Sequence, residues 1–234
     1  MMVAEIRGRL EKLADQETAE ILRRFFKTGP GEYGEGDMFR GIRVPVLRKL
    51  CREFSRASVD DAVELLASGW HEDRLLALLL LVERSRQADE ALRTLIYTHY
   101  CSHTDRINNW DLVDLSCPRI VGCHLQERDR SPLYRFALSE SLWERRIAIV
   151  STFHFIRADD FDDTLAIAEK LMEDTEDLIH KATGWMLREV GKRNEEVLEG
   201  FLSEYYSDMP RTMLRYAIEK LPEPRRQAWL KGRV

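Results

Sequence analysis

Residues 142–153 read "LWERRIAIVSTF", and residues 70–81 read "WHEDRLLALLLL". Both carry a Glu, one intervening residue, an Arg and then an aliphatic run: Glu144-Arg145-Arg146-Ile147 and Glu72-Asp73-Arg74-Leu75. Two later stretches put a cation in the same slot, Lys181 in "LIHKATGWML" and Arg215 in "TMLRYAIEKL". The four cations are separated by 72, 35 and 34 residues, and the midpoint of the long interval is Trp110. A period near 35 with two helices per unit is the signature of a helical-pair solenoid of the HEAT kind. The predicted fold is therefore all-α, an α-solenoid of HEAT-like helical pairs, read as one domain over residues 1–234. In such an array, equivalent positions line one surface. Arg74, Trp110, Arg146, Lys181 and Arg215 would line a concave, basic groove.

The rest of the chain agrees with this period. "VPVLRKLCREF" (44–54) carries Pro45, which a first helical turn tolerates. "SVDDAVELLAS" (58–68) offers Ser58 as N-cap with Asp61 in the capping-box position. "DDFDDTLAIAEKLM" (159–172) and "NEEVLEGFLSEYY" (194–206) are amphipathic at helical spacing. No alternating run is long enough for a sheet. One segment departs: "KTGPGEYGEGDMFRGIRVP" (27–45) holds five glycines and two prolines. It lacks the GK[ST] ending of a phosphate cradle. It reads as a long interhelix connection, with a mobile flap as the alternative.

Composition narrows the function classes. Apolar residues make up 44% and charged residues 33% of the 234, with a net charge of -5 and a pI near 5.8. The acidity argues only weakly against a polyanionic partner, because affinity depends on where Lys and Arg sit. The longest apolar run, Leu75 to Val82, is too short to span a membrane. The N-terminal stretch has no signal-peptide core, so a cytoplasmic protein is expected. Four cysteines without a CxxC read as reduced thiols. His99 and His103 are four apart, but no further ligands at defined spacing accompany them, so no metal is expected.

A row of one cation per repeat suits a polymer of regularly spaced phosphates, which Arg can hold with two hydrogen bonds. For any single Arg the competing reading is a structural ladder with a neighbouring Glu. Arg145 and Arg188 add to the row. "NNWDLVD" (108–114) sets Trp110 and Asp114 four apart, on one helix face. A carboxylate in a groove for DNA needs a reason. Cleaving an N-glycosidic bond makes the sugar oxocarbenium-like, and an ionised carboxylate stabilises that charge and orients the attacking water.

Three motifs carry a resemblance: Trp110-Asp111-Leu112-Val113-Asp114, Trp143-Glu144-Arg145-Arg146-Ile147-Ala148, and Lys181-Ala182-Thr183-Gly184-Trp185-Met186-Leu187-Arg188-Glu189. With the Gly41-Ile42-Arg43-Val44-Pro45 turn, they resemble the DNA alkylation repair glycosylases of the AlkD type, over about residues 20–220. The resemblance implies excision of N3- and N7-alkylated purines, such as 3-methyladenine and 7-methylguanine, from duplex DNA. It implies Asp114 as catalytic carboxylate, with Trp110 and Trp185 against the lesion nucleotide's sugar and backbone. Arg146 would hold a phosphate, and Arg145, Lys181, Arg74, Arg188, Arg215 and Arg43 would complete the DNA-binding set. The implied partner is double-stranded DNA carrying alkylated purines, bound by a monomer without cofactor. The family is associated with catalysis that leaves the base out of any pocket, which fits a groove more than a cavity. Three departures concern the N-terminal contacts, one being the glycine-rich insert "GEYGEGD" (31–37), longer than in some relatives. Phe25 and Phe26 stand where relatives can carry a Tyr, and Arg43 stands where others have a neutral polar residue. The alternative is a non-catalytic HEAT-like DNA-binding or protein-interaction scaffold, which has no use for Asp114 beside Trp110.

Overall fold

The computed structural model describes residues 2–233. The fold is all-α, built from stacked helical pairs, and no strand occurs among the described residues. The chain folds as two compact units, one running to Ile120 and one from Val121 onward. The first holds α1 (Met2–Lys12), α2 (Gln16–Phe25), α3 (Val44–Glu53), α4 (Val59–Leu66), α5 (His71–Arg86), α6 (Glu90–Ser102) and the short α7 (Trp110–Asp114). The second holds α8 (Cys123–Leu125), α9 (Ser131–Ala137), α10 (Leu142–Ser151), α11 (Phe153–Ile156), α12 (Asp162–Lys170), α13 (Asp177–Arg193), α14 (Glu195–Tyr205), α15 (Arg211–Ala217) and α16 (Glu223–Lys231). A π-helical turn, Pro118–Gly122, replaces regular helix between α7 and α8.

In the first unit α5 is the centre. Every residue from Leu75 to Val82 is buried, as expected of a helix apolar on all sides. It packs against α3, α4, α6 and α7. Local signals set the neighbours. Pro45 sits in the first turn of α3. Ser58 and Asp61 form the reciprocal capping box of α4: Asp61 N–H donates to Ser58 Oγ at 3.0 Å and Ser58 N–H to Asp61 Oδ2 at 2.9 Å. All four cysteines are free thiols, with Cys51 and Cys117 buried.

In the second unit α10, α13 and α15 stack side by side, with α9, α12 and α14 packed against them. Arg146, Lys181 and Arg215 each lie four residues after the first residue of their helices. The sequence repeat is therefore a structural one within this unit. Close packing of α13 on α15 depends on Gly184: a Cβ there would lie 2.4 Å from the Met213 carbonyl oxygen and 2.6 Å from Tyr216 Cβ. The neighbours are backbone and a Cβ, so they yield only by moving the helix. Gly184→Ala should destabilise the protein by about 1–3 kcal/mol, read as a lower urea midpoint. An unchanged midpoint would mean that this helix contact is slack.

Candidate functional site

The α7 helix is one turn and a half long, and its position decides what Trp110 and Asp114 face. Asn109 caps it, accepting from Trp110 N–H at 2.8 Å. Asp111, Leu112 and Val113 are buried, whereas Trp110 and Asp114 are part-exposed. The two share one face and line one cleft of about 500 Å³. Its other wall is α2 and the start of α3, through Ile21, Phe25, Ile42 and Pro45. Phe25 and Ile21 stay 61% and 53% exposed. The sequence pointed to a groove; the structure places a cleft there, because α2 hangs its apolar face over α7 without closing onto it.

A column of rings fixes Trp110. Its indole stacks on Phe26, with centroids 5.2 Å apart and planes at 22°. Phe26 stacks on Phe39 at 5.1 Å, and Phe39 on His71 at 4.4 Å. His71 ends the column between two carboxylates, its Nδ1 2.7 Å from Asp37 Oδ2 and its Nε2 2.9 Å from Asp111 Oδ2. Two acceptors require both ring nitrogens to donate, so the ring is an imidazolium. Burial alone would lower its pKa. The charges and hydrogen bonds of Asp111 and Asp37 outweigh burial and push it up to about 9. Asp37 is likewise buried, which favours its neutral form, yet His71 and Arg74 together hold its pKa below the usual carboxylate value.

The same first turn of α5 ties down the glycine-rich connection. Glu72 accepts from the backbone N–H groups of Arg40 (2.8 Å), Gly41 (2.8 Å) and Ile42 (3.0 Å). Asp73 takes the Arg40 guanidinium in a fork at 2.6 and 3.1 Å. Gly41 has φ +86, and a Cβ on it would strike the Asp15 carbonyl oxygen at the start of α2. The connection is thus fastened at its C-terminal end. Glu72→Ala leaves three donors without their acceptor and should cost on the order of 3 kcal/mol or more. It should also open Arg40 and Arg43 to trypsin. Wild-type resistance in the variant would show that the loop is held by other contacts.

The row of cations is only partly available to a ligand. Arg74, expected in the DNA-binding row, is 5% exposed, pairs with Asp37 at 2.7 Å, and donates to Asn108 Oδ1 at 3.1 Å. It joins the connection to the lead-in of α7. Arg145 is committed in the same way, to Asp174 at 2.6 Å and to the carbonyls of Ser139 and Glu140. Arg146 is buried and donates to the Leu178 carbonyl at 2.6 Å, a rung to the next helix of the stack. Arg188 pairs with Glu219. In all four the guanidinium has carbonyl, side-chain amide or carboxylate partners within the protein. Lys181 is half-exposed and paired with Asp177 on its own helix. Arg43 and Arg215 are exposed. Trp185 is half-buried in the second unit, donating to Glu189 at 3.1 Å beside Phe153. Among the described residues no group of three or more His, Cys, Asp or Glu is arranged to hold a metal.

Residues 6–221 match the protein family described as DNA alkylation repair enzyme. Among solved structures, a predicted DNA alkylation repair enzyme from Enterococcus faecalis shares the fold. It superposes with a TM-score of 0.68 at 18% identity, over 90% of this chain and 97% of that one. No curated protein matches the sequence.

Proposed function

The chain belongs to the DNA alkylation repair enzyme family, and from that premise we propose that it is a DNA glycosylase for N3- and N7-alkylated purines in duplex DNA. One observation carries the reading: Asp114 and Trp110 open side by side into one cleft. A family member without chemistry has no need of a carboxylate there, since it would repel a phosphate backbone.

The substrate does much of the work. An N3- or N7-alkylated purine is cationic, so its glycosidic nitrogen leaves readily. As the bond to C1′ breaks, its electron pair goes to the base and cancels that charge. The deoxyribose becomes oxocarbenium-like. Asp114 stabilises it electrostatically and orients a water molecule, which adds to C1′ and releases a proton to solvent. Trp110, held by the ring column, covers the sugar. For Trp185 the support is its motif. Of the cations in the expected row, Arg43, Lys181 and Arg215 are the most exposed and would meet phosphates. The experiment is to incubate the protein with methylated duplex DNA and measure released 7-methylguanine and 3-methyladenine by mass spectrometry. Saturable release supports the assignment. No release above the spontaneous rate overturns it in favour of a non-catalytic DNA-binding scaffold.

A further inference from the structure

We infer that the solvent face of α3 is a phosphate track, on which Arg48, Lys49 and Arg52 hold the backbone of duplex DNA beside the cleft. This rests on the DNA-directed reading above and says which cations supply the affinity. It holds or fails apart from Asp114 and the glycosylase chemistry.

The helix sorts its residues onto two sides. Leu47, Leu50 and Cys51 are buried, with Phe54 at the C-cap, and α3 packs on α5. Pro45, Arg48, Lys49 and Arg52 are exposed. They fall at i, i+3, i+4 and i+7, the spacing of one helical face. Pro45 also lines the cleft, together with Arg43 and Trp110. The stripe of cations therefore begins one turn from the cleft. From Pro45 to Arg52 the face is about 10 Å long, at 1.5 Å per residue. One strand of duplex DNA advances about 3.4 Å per phosphate, so the face spans about three of them. The start of α3 adds to the same field, because its first turn holds no acid and its N-cap makes no side-chain hydrogen bond.

Nothing in the protein answers these three cations. Among the described residues none of them enters an ion pair or a side-chain hydrogen bond. Exposure alone does not explain this. Arg7 and Arg9 of α1 have 45% and 42% of their side chains exposed, yet they pair with Glu64 at 3.3 Å and Glu53 at 3.1 Å. The second pair also occupies Glu53, the acid that α3 itself carries. Arg48 and Arg52, four apart, repel each other along the helix. A face that only meets water gains more from mixed signs, above all in a chain of net charge -5. A single-sign stripe of even spacing suits a row of phosphates. A membrane surface carries phosphates too, but it takes in apolar side chains among the cations. Between Arg48 and Arg52 the apolar residues are Leu50 and Cys51, and both are buried.

The test uses the full chain and a short unmodified duplex, with binding read by fluorescence anisotropy from about 50 to 200 mM salt. Wild-type affinity should fall as salt rises. The triple variant Arg48→Gln, Lys49→Gln, Arg52→Gln should bind at least about tenfold more weakly at the low-salt end. Its slope of log Kd against log salt should be smaller by about two to three contacts' worth. Arg193→Gln, Arg225→Gln and Arg226→Gln together change the net charge equally, but they remove arginines already paired with Asp159, Glu195 and Glu223. That variant should keep the wild-type slope. Equal slopes for wild type and the α3 variant, or equal losses in both triple variants, overturn the track. Tighter binding of phosphatidylglycerol vesicles than of duplex at equal phosphate overturns DNA as its occupant. Thermal melts separate misfolding from loss of a contact. If the α3 triple variant melts early, Lys49→Gln alone decides, with a slope smaller by about one. On methylated duplex, single-turnover release at saturating protein should be unchanged in the α3 variant, while the protein concentration for half-maximal release rises about tenfold. Duplex binding by wild type without any release refutes the glycosylase and leaves the track standing. Release with a salt slope that α3 does not carry refutes the track alone.

Discussion

Replacing Asp114 by Asn should slow base release from methylated duplex DNA by roughly 10²–10³, by analogy with deletion of a single group that stabilises transition-state charge. Asn keeps the shape and loses the charge that offsets the oxocarbenium. The residue closes α7 and is part-exposed at the cleft, so the fold should tolerate the change. Single-turnover release at saturating protein is the right measurement, since it removes binding from the rate. Asp111→Asn supplies the contrast. That carboxylate is buried against His71, three residues away on the same short helix. Its loss should show first as a lower melting temperature, with single-turnover chemistry retained at temperatures where the variant is folded. Equal single-turnover rates for wild type and Asp114→Asn would remove the carboxylate from the chemistry and with it the proposed mechanism.

The contrast between these two aspartates also shows what the sequence could disclose. The i, i+4 spacing of Trp110 and Asp114 was enough to place both on one face, and the structure has them lining one cleft. The caps were equally legible, because a capping box is written in residues three apart: Ser58 and Asp61. So was the register of Arg146, Lys181 and Arg215, since a repeat is a comparison of local patterns. What was hidden is long-range and polar. His71, Glu72, Asp73 and Arg74 look like an exposed first turn, yet all four are buried. Their partners, Asp37, Arg40 and the amides of 40–42, lie some 30 residues earlier in a segment that reads as loose. No periodicity links a glycine-rich connection to the helix it is stapled to. The Glu-x-Arg pattern that revealed the repeat did not disclose that Arg74 answers an internal carboxylate, Asp37. The cleft escaped notice for a related reason. Whether α2 closes onto α7 is set by the anchored connection between α2 and α3, which no local signal describes.

The imidazolium at the base of this site makes stability fall on the alkaline side. His71 has a pKa pushed up to about 9 in the folded protein, against about 6.5 in an unfolded chain. A raised pKa means that the folded state holds the proton more tightly. The contribution is complete below pH 6.5 and is lost as pH climbs from there through 9. The shift corresponds to on the order of 3 kcal/mol. Asp37 acts on the opposite side: its lowered pKa gives stability that is present above the ordinary Asp value and lost as pH falls below it. Further groups have raised values. Burial, with the nearby charge of Glu83, pushes the Cys51 thiol up to about 11. Burial and the Asp163 carboxylate push the Tyr134 phenol up to about 12. Urea unfolding at pH 6 and pH 9.5 should therefore differ by most of the His71 contribution. His71→Gln should be less stable at pH 6, since two buried carboxylates then lose a cation, at a cost of about 3–5 kcal/mol. It should also flatten the alkaline slope. A wild-type slope that survives in His71→Gln would move the origin of the effect elsewhere. The functional reach follows from the ring column, His71 to Phe39 to Phe26 to Trp110. When the imidazole loses its proton, one carboxylate must let go. The one released is Asp37, in the connection, or Asp111, next to Trp110 in α7. Base release should then follow the melting transition, retained at alkaline pH at temperatures where the protein is folded, as for Asp111→Asn.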